Sequence, residues 1–210
     1  MPPRIISPSD NTTGYGTPVN IDASLTSLST GSLTTVARAD HVHTVSNAMV
    51  LFGTATLSSS AASITISNIP STHSVLYLVY TIKSLNPTTI SNVDIRFNGD
   101  TSSIYCDVYG SGTFTGTYCF AGFSHGSTNS SATGAPTTCT VTNYSVSQHK
   151  TVSGLYFANN TSTANAWAGA SGVINLGNYR SNNTITSITL LDRNGYNFAS
   201  GSIVKVYGQP

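Results

Sequence analysis

The chain contains no glutamate and only three lysines, Lys83, Lys150 and Lys205. That absence restricts the available folds more than any other feature. Glu, Lys, Ala and Leu are the residues that line the solvated faces of helices. Without the first two, an amphipathic helix has little to place against water. Ser, Thr, Asn and Gly take their place here, interleaved with Val, Ile and Tyr, and that mixture suits strands and turns. An all-β protein with surfaces of hydroxyls and amides is expected.

Charged residues make up 7% of the 210, and the formal net charge is +1 with histidines neutral. No basic field is available to attract phosphates, so nucleic-acid binding is not expected. Weak self-repulsion favours self-association. No run of 18 apolar residues is present, so no membrane span and no membrane partner are expected. The opening Met-Pro-Pro-Arg-Ile-Ile-Ser-Pro has no apolar stretch of signal-peptide type, which predicts synthesis in the cytoplasm without export. Cys106, Cys119 and Cys139 are odd in number and widely spaced. They read as reduced thiols in or near a β core, not as a disulfide framework or a zinc site.

Two regions follow from the pattern. Residues 1–48 carry Pro2, Pro3, Pro8 and Pro18 and a polar Ser/Thr stretch, with apolar residues too sparse to close a core. They are expected to form an extended arm ordered by contact with other chains. Residues 49–210 alternate in the manner of strands, read near Val50–Leu57, Ser63–Ile69, Val75–Lys83, Val93–Asn98, Ile104–Tyr109, Thr113–Phe123, Thr138–Val146, Thr151–Phe157, Ala166–Leu176, Thr184–Leu191 and Ser202–Tyr207. In Val93–Phe97 the apolar Val93, Ile95 and Phe97 share one face, and Asp94 and Arg96 the other. Asn98-Gly99 and Asn194-Gly195 signal tight hairpin turns with positive φ. Strands of this number and spacing predict an antiparallel β-sandwich, jelly-roll-like. Ser124–Pro136, rich in Gly, Ser, Thr and Asn, reads as a long exposed loop.

The segment Ser32-Leu33-Thr34-Thr35-Val36-Ala37-Arg38-Ala39-Asp40-His41-Val42-His43 resembles an element of bacteriophage tail-fibre and other virion proteins, in which Ala-Arg-(Ser/Ala)-Asp-His-Val-His follows small and hydroxyl residues. Ala62–Pro70, Leu76–Val79, Arg96–Asp100, and Asn197–Ser202 through Val206–Gly208 look like a domain common in phage structural proteins. The family's motif is often followed by proline, where this chain has Thr44. The resemblance implies a homotrimer on the virion surface, attached to other virion proteins through residues 1–48.

On an extended strand His41 and His43 present their rings to one side. Three chains around an axis would bring six imidazoles together, an octahedral set for a first-row transition metal. Trimeric tail fibres of this kind hold iron between paired His-x-His strands, which implies one iron per trimer at His41 and His43. The other reading is that these histidines pack and hydrogen-bond at a chain crossing, with Asp40 paired to Arg38 or capping a backbone group. Nothing else in the sequence calls for a cofactor.

No enzyme is expected. Glycoside hydrolysis needs paired carboxylates, and the seven aspartates are scattered, with Asp94, Asp100 and Asp107 read as turn and surface residues. No Gly-x-Ser-x-Gly elbow or phosphate loop is present. The expected function is a short trimeric fibre whose β domain binds a host cell-surface glycan. Candidate contacts are His125, Asn129, Trp167 and Tyr179, with Tyr105, Tyr109, Tyr118 and Tyr196 as further rings for stacking on a sugar. A capsid decoration or head-fibre protein without receptor is the alternative, slightly favoured by the small size, and an enzyme acting on polysaccharide is a remote third.

Overall fold

The computed structural model describes residues 48–109, 112–129, 135–157 and 172–210. All of them lie within one compact unit, Val45–Pro210. The expected arm, apart from its last residue, lies outside the described residues, and with it His41 and His43.

Twelve strands and no helix occur among the described residues. They are β1 (Val50–Thr56), β2 (Ser63–Ile66), β3 (Val75–Ile82), β4 (Ile90–Phe97), β5 (Tyr105–Tyr109), β6 (Gly112–Gly116), β7 (Cys119–His125), β8 (Ala135–Thr142), β9 (Lys150–Phe157), β10 (Gly172–Tyr179), β11 (Ile188–Asp192) and β12 (Ile203–Gln209). They form two antiparallel sheets, one of eight strands in the order β1-β12-β3-β8-β9-β10-β5-β6 and one of four in the order β2-β11-β4-β7. The chain pairs with itself from its two ends inward. β1 pairs with β12, β2 with β11, β3 with β8 and β4 with β7, and these pairs fall alternately in one sheet and the other. The hairpins β5–β6 and β9–β10 are additions that widen the larger sheet.

A single core lies between the sheets, giving a sandwich-like arrangement. Period-two alternation fills it. Leu76, Leu78, Tyr80 and Ile82 enter from β3 and Val204 and Val206 from β12. Ile64 and Ile66 of β2, Val93, Ile95 and Phe97 of β4, and Leu190 of β11 enter from the smaller sheet. Each such side chain removed from water contributes roughly 1.5–3 kcal/mol. Cys119 and Cys139 are buried within this core and Cys106 is half-buried, all three as free thiols. Burial pushes the Cys139 thiol up to about 12, so it packs as a small apolar group.

Several segments depart from the expectations. Thr113–Phe123, read as one strand, is two strands in different sheets, because the chain crosses between sheets at Thr117-Tyr118. The exposed loop expected over Ser124–Pro136 is shorter, since Ser124 and His125 end β7 and Ala135 and Pro136 begin β8. Thr184–Ser187 is not strand. There the Asn98 carboxamide substitutes for a neighbouring strand: its oxygen accepts from the backbone N–H of Thr186 (2.8 Å) and Ser187 (3.2 Å), and its nitrogen donates to the Thr184 carbonyl (2.8 Å). Asn98 can do this because it sits with Gly99 in a turn where both have positive φ, 54° and 66°. Neither Asn-Gly turn joins neighbouring strands of one sheet. Each carries the chain from the smaller sheet to the larger.

Candidate functional site

The turn after β11 sets the position of Arg193. One oxygen of Asp192 accepts from the Asn194 N–H (2.8 Å), and Gly195 N–H donates to the Asp192 carbonyl (3.0 Å), with Gly195 at φ 78°. The other Asp192 oxygen accepts from the buried hydroxyls of Ser84 (2.6 Å) and Ser91 (2.5 Å), and the Arg193 N–H donates to the Asn92 carbonyl (3.1 Å). The backbone that carries Arg193 is therefore anchored on β4 and on the Ser84 segment.

From this turn the guanidinium reaches Asp94 on β4 and Asp107 on β5. Its Nε lies 3.0 and 3.1 Å from the two Asp94 oxygens, and its Nη2 donates to Asp94 and, at 3.0 Å, to Asp107. The second Asp107 oxygen accepts from the Phe120 N–H at 2.6 Å. The Asp94 side chain is fully buried, whereas that of Arg193 is 26% exposed. Burial outweighs the attraction of Arg193 and pushes the Asp94 carboxyl up to about 6. Burial also raises Asp107 above the usual carboxylate range, against the Phe120 hydrogen bond and the Arg193 charge. The guanidinium carbon stands 5.5 Å from the ring centre of Tyr118 and 5.1 Å from that of Phe120, within cation–π range of both.

Arg193 and Asp107 form one side of an open cleft of about 350 Å³, completed by Thr115, Gly116, Thr117 and Tyr118. The Thr117 carbonyl accepts from the Arg96 Nε at 3.2 Å. Asp94 and Asp107, expected at turns and on the surface, are instead buried. The polar face of β4 is covered at Asp94, and opposite it β7 carries one extra residue, Ala121, between the partners of Val93 and Asp94.

The residues expected to touch a ligand are dispersed. His125 ends β7 and Asn129 follows in the turn after it; they are 3% and 4% exposed, not displayed on an open loop. The His125 carbonyl accepts from the Ser84 N–H at 2.7 Å. Tyr179 is also buried, stacked on Tyr105 with ring centres 4.6 Å apart, and its hydroxyl donates to Asp100 at 2.8 Å. Tyr105 in turn binds the Phe97 N–H (3.1 Å) and the Asp100 carbonyl (3.1 Å), so both tyrosines secure the Asn98-Gly99 turn. Trp167 lies outside the described residues, as does the side chain of Tyr109. Of the named rings among the described residues, Tyr118 alone lines the cleft, while Tyr196 is 40% exposed elsewhere. Among the described residues no three His, Cys or Asp side chains are grouped to hold a metal ion. Arg193 was missed because its two partners lie 99 and 86 residues away in sequence.

Comparison with known proteins finds no family model, no curated protein and no solved structure that matches the chain.

Proposed function

We propose that the chain is a bacteriophage virion structural protein, a short homotrimeric fibre attached to the particle through residues 1–48, whose β domain binds a glycan on the host surface. The observation that carries this reading is the Ala37-Arg38-Ala39-Asp40-His41-Val42-His43 motif placed ahead of a β domain whose strand order supports a jelly roll. In a jelly roll eight strands wind as two Greek keys. The orders β1-β12-β3-β8 and β2-β11-β4-β7 interleave in that manner, with β5–β6 and β9–β10 as insertions. The fold is shared by viral capsid and lectin domains, and it carries no function by itself. Weak surface charge suits a chain that buries part of itself between copies.

A binding role is favoured over catalysis by the state of the carboxylates. Asp94 is fully buried, and Asp107, which borders the cleft, has its oxygens taken up by Arg193 and the Phe120 N–H, so the two do not form a free acid–base pair. An acid–base pair must reach its substrate. His41 and His43 belong to the same proposal, as iron ligands across the trimer axis or as packing residues, and metal analysis of the purified trimer decides between the two roles.

The test is retention of the full-length protein on panels of bacterial lipopolysaccharide and capsular glycans. Saturable binding competed by released glycan supports a receptor-binding fibre. No binding to any bacterial surface glycan removes the receptor role and leaves a decoration protein.

A further inference from the structure

The geometry points to the cleft lined by Arg193, Thr115, Thr117 and Tyr118 as the binding site for a neutral hexopyranose unit of a glycan, a proposal that rests on the glycan-binding reading above and gives it a location and a sugar class. Four features of the cleft carry it.

The first is unused hydrogen-bonding capacity. Arg193 spends Nε and Nη2 on Asp94 and Asp107, while Nη1 makes no hydrogen bond among the described residues. The hydroxyls of Thr115, Thr117 and Tyr118 likewise make none there. Donors and acceptors therefore converge on one hollow, as a sugar's hydroxyls require.

The second is rigidity. A free arginine would lose rotamer freedom on gripping a ligand, at a cost of about 0.5–1.5 kcal/mol. Here the side chain is already fixed by two carboxylates and flanked by the Tyr118 and Phe120 rings.

The third is the ring. Tyr118 is half-buried and borders the cleft, so an aromatic surface lies beside the polar groups. Sugars offer C–H faces to such surfaces and hydroxyl edges to the groups around them.

The fourth is charge, and it selects the sugar class. Among the described residues the charged groups lining the cleft are Asp107 and Arg193, one negative and one positive and paired at 3.0 Å, so its lining carries no net charge. An anionic sugar would meet a guanidinium already neutralised by carboxylates. A cation would find no grouping of ligands among the described residues. A neutral sugar uses Nη1 and the hydroxyls without desolvating an unpaired charge.

Thr115 is exposed on the edge strand β6, which allows a test that leaves the ion pairs intact. Saturation-transfer NMR of the full-length protein is run with methyl glycosides of glucose, galactose and mannose, and with sialic and glucuronic acid. It is repeated on Thr115→Trp, which fills the cleft, and on Tyr118→Ala, with melting curves to confirm folding. Binding of a neutral glycoside, weakened at least tenfold in both folded variants, is the expected result. Equal binding by folded Thr115→Trp overturns the cleft as the site and leaves a glycan-binding protein with its site elsewhere. Binding of the acidic sugars alone overturns the assigned class. No binding of any sugar by the parent protein overturns the site, and the receptor reading then stands or falls separately on the lipopolysaccharide and capsular glycan panels.

Discussion

Arg193 holds Asp94 through both its Nε and its Nη2, joining the turn after β11 to the buried face of β4 across 99 residues of sequence. The same Nη2 reaches Asp107 on β5, in the other sheet. One side chain thus ties the two sheets together beside the cleft. Replacing it leaves two buried carboxylates without their cation, and breaking a buried pair in this way costs about 3–5 kcal/mol. Arg193→Ala should lose roughly that much in urea unfolding of the full-length protein. Arg193→Lys should recover part of it, since a single ammonium cannot fork onto Asp94 and reach Asp107 together.

The Asp94 carboxyl also makes stability depend on pH. Its folded value of about 6 lies above the model-peptide 3.8. Between those two values the folded state holds a proton that the unfolded state has released, so stability falls as pH rises through the window and levels off above it. The shift corresponds to an effect on the order of 3 kcal/mol. Asp107, also raised by burial, acts in the same direction. Asp100 is lowered, chiefly by its hydrogen bond from Ser102, so its contribution is lost only as pH drops below 3.8. The full-length protein should therefore unfold at higher urea concentration at pH 4.5 than at pH 7, and Asp94→Asn should flatten most of that slope. A parent protein equally stable at both values would contradict the burial of Asp94.

Gly122 sits at the β7 bulge opposite Val93 with φ 143°, a backbone conformation closed to side chains. A Cβ there would stand 2.8 Å from the Tyr80 hydroxyl and 3.0 Å from the Thr137 methyl. Gly122→Ala should destabilise by about 1–3 kcal/mol from backbone strain, before the contacts add to it. Gly99→Ala, at φ 66° in the left-handed region and with open space around its Cβ, should cost less. Paired urea titrations measure the difference.

The Tyr105 and Tyr179 hydroxyls hold the Asn98-Gly99 turn from beneath. Tyr105→Phe leaves the buried Phe97 N–H without its hydroxyl partner, and should cost about 1–3 kcal/mol. Tyr179→Phe removes a bond to the half-buried Asp100 carboxylate, which Ser102 still holds, and should cost less. Reversal of that order would mean that the turn is held otherwise.

The sequence was most readable where one rule governs one segment. Alternation at Val93, Ile95 and Phe97 identified the core face of β4, whereas in β3 the half-buried Val75, Tyr77 and Val79 are as apolar as the buried Leu76, Leu78 and Tyr80, so its core face was not legible. The Asn98-Gly99 turn was readable because positive φ is a local demand. The break in Thr113–Phe123 was not, because the residues at the crossing, Thr117 and Tyr118, are as strand-compatible as their neighbours. His125 and Asn129 looked exposed because Gly, Ser and Asn surround them, yet β4 and the Lys83–Thr89 segment cover them. The cleft was hidden for a similar reason. Tyr118 could be named as a candidate ring, but its partner Arg193 arrives from the far end of the chain, and spacing says nothing of a contact made through the second sheet.

The central claim, that this is a trimeric fibre protein of virion type, is tested most directly by native mass spectrometry of the full-length chain. The account predicts a species of three 21.9 kDa copies that persists on dilution to low micromolar concentration. A monomer under the same conditions would contradict it, and with it the role given to residues 1–48 and to His41 and His43.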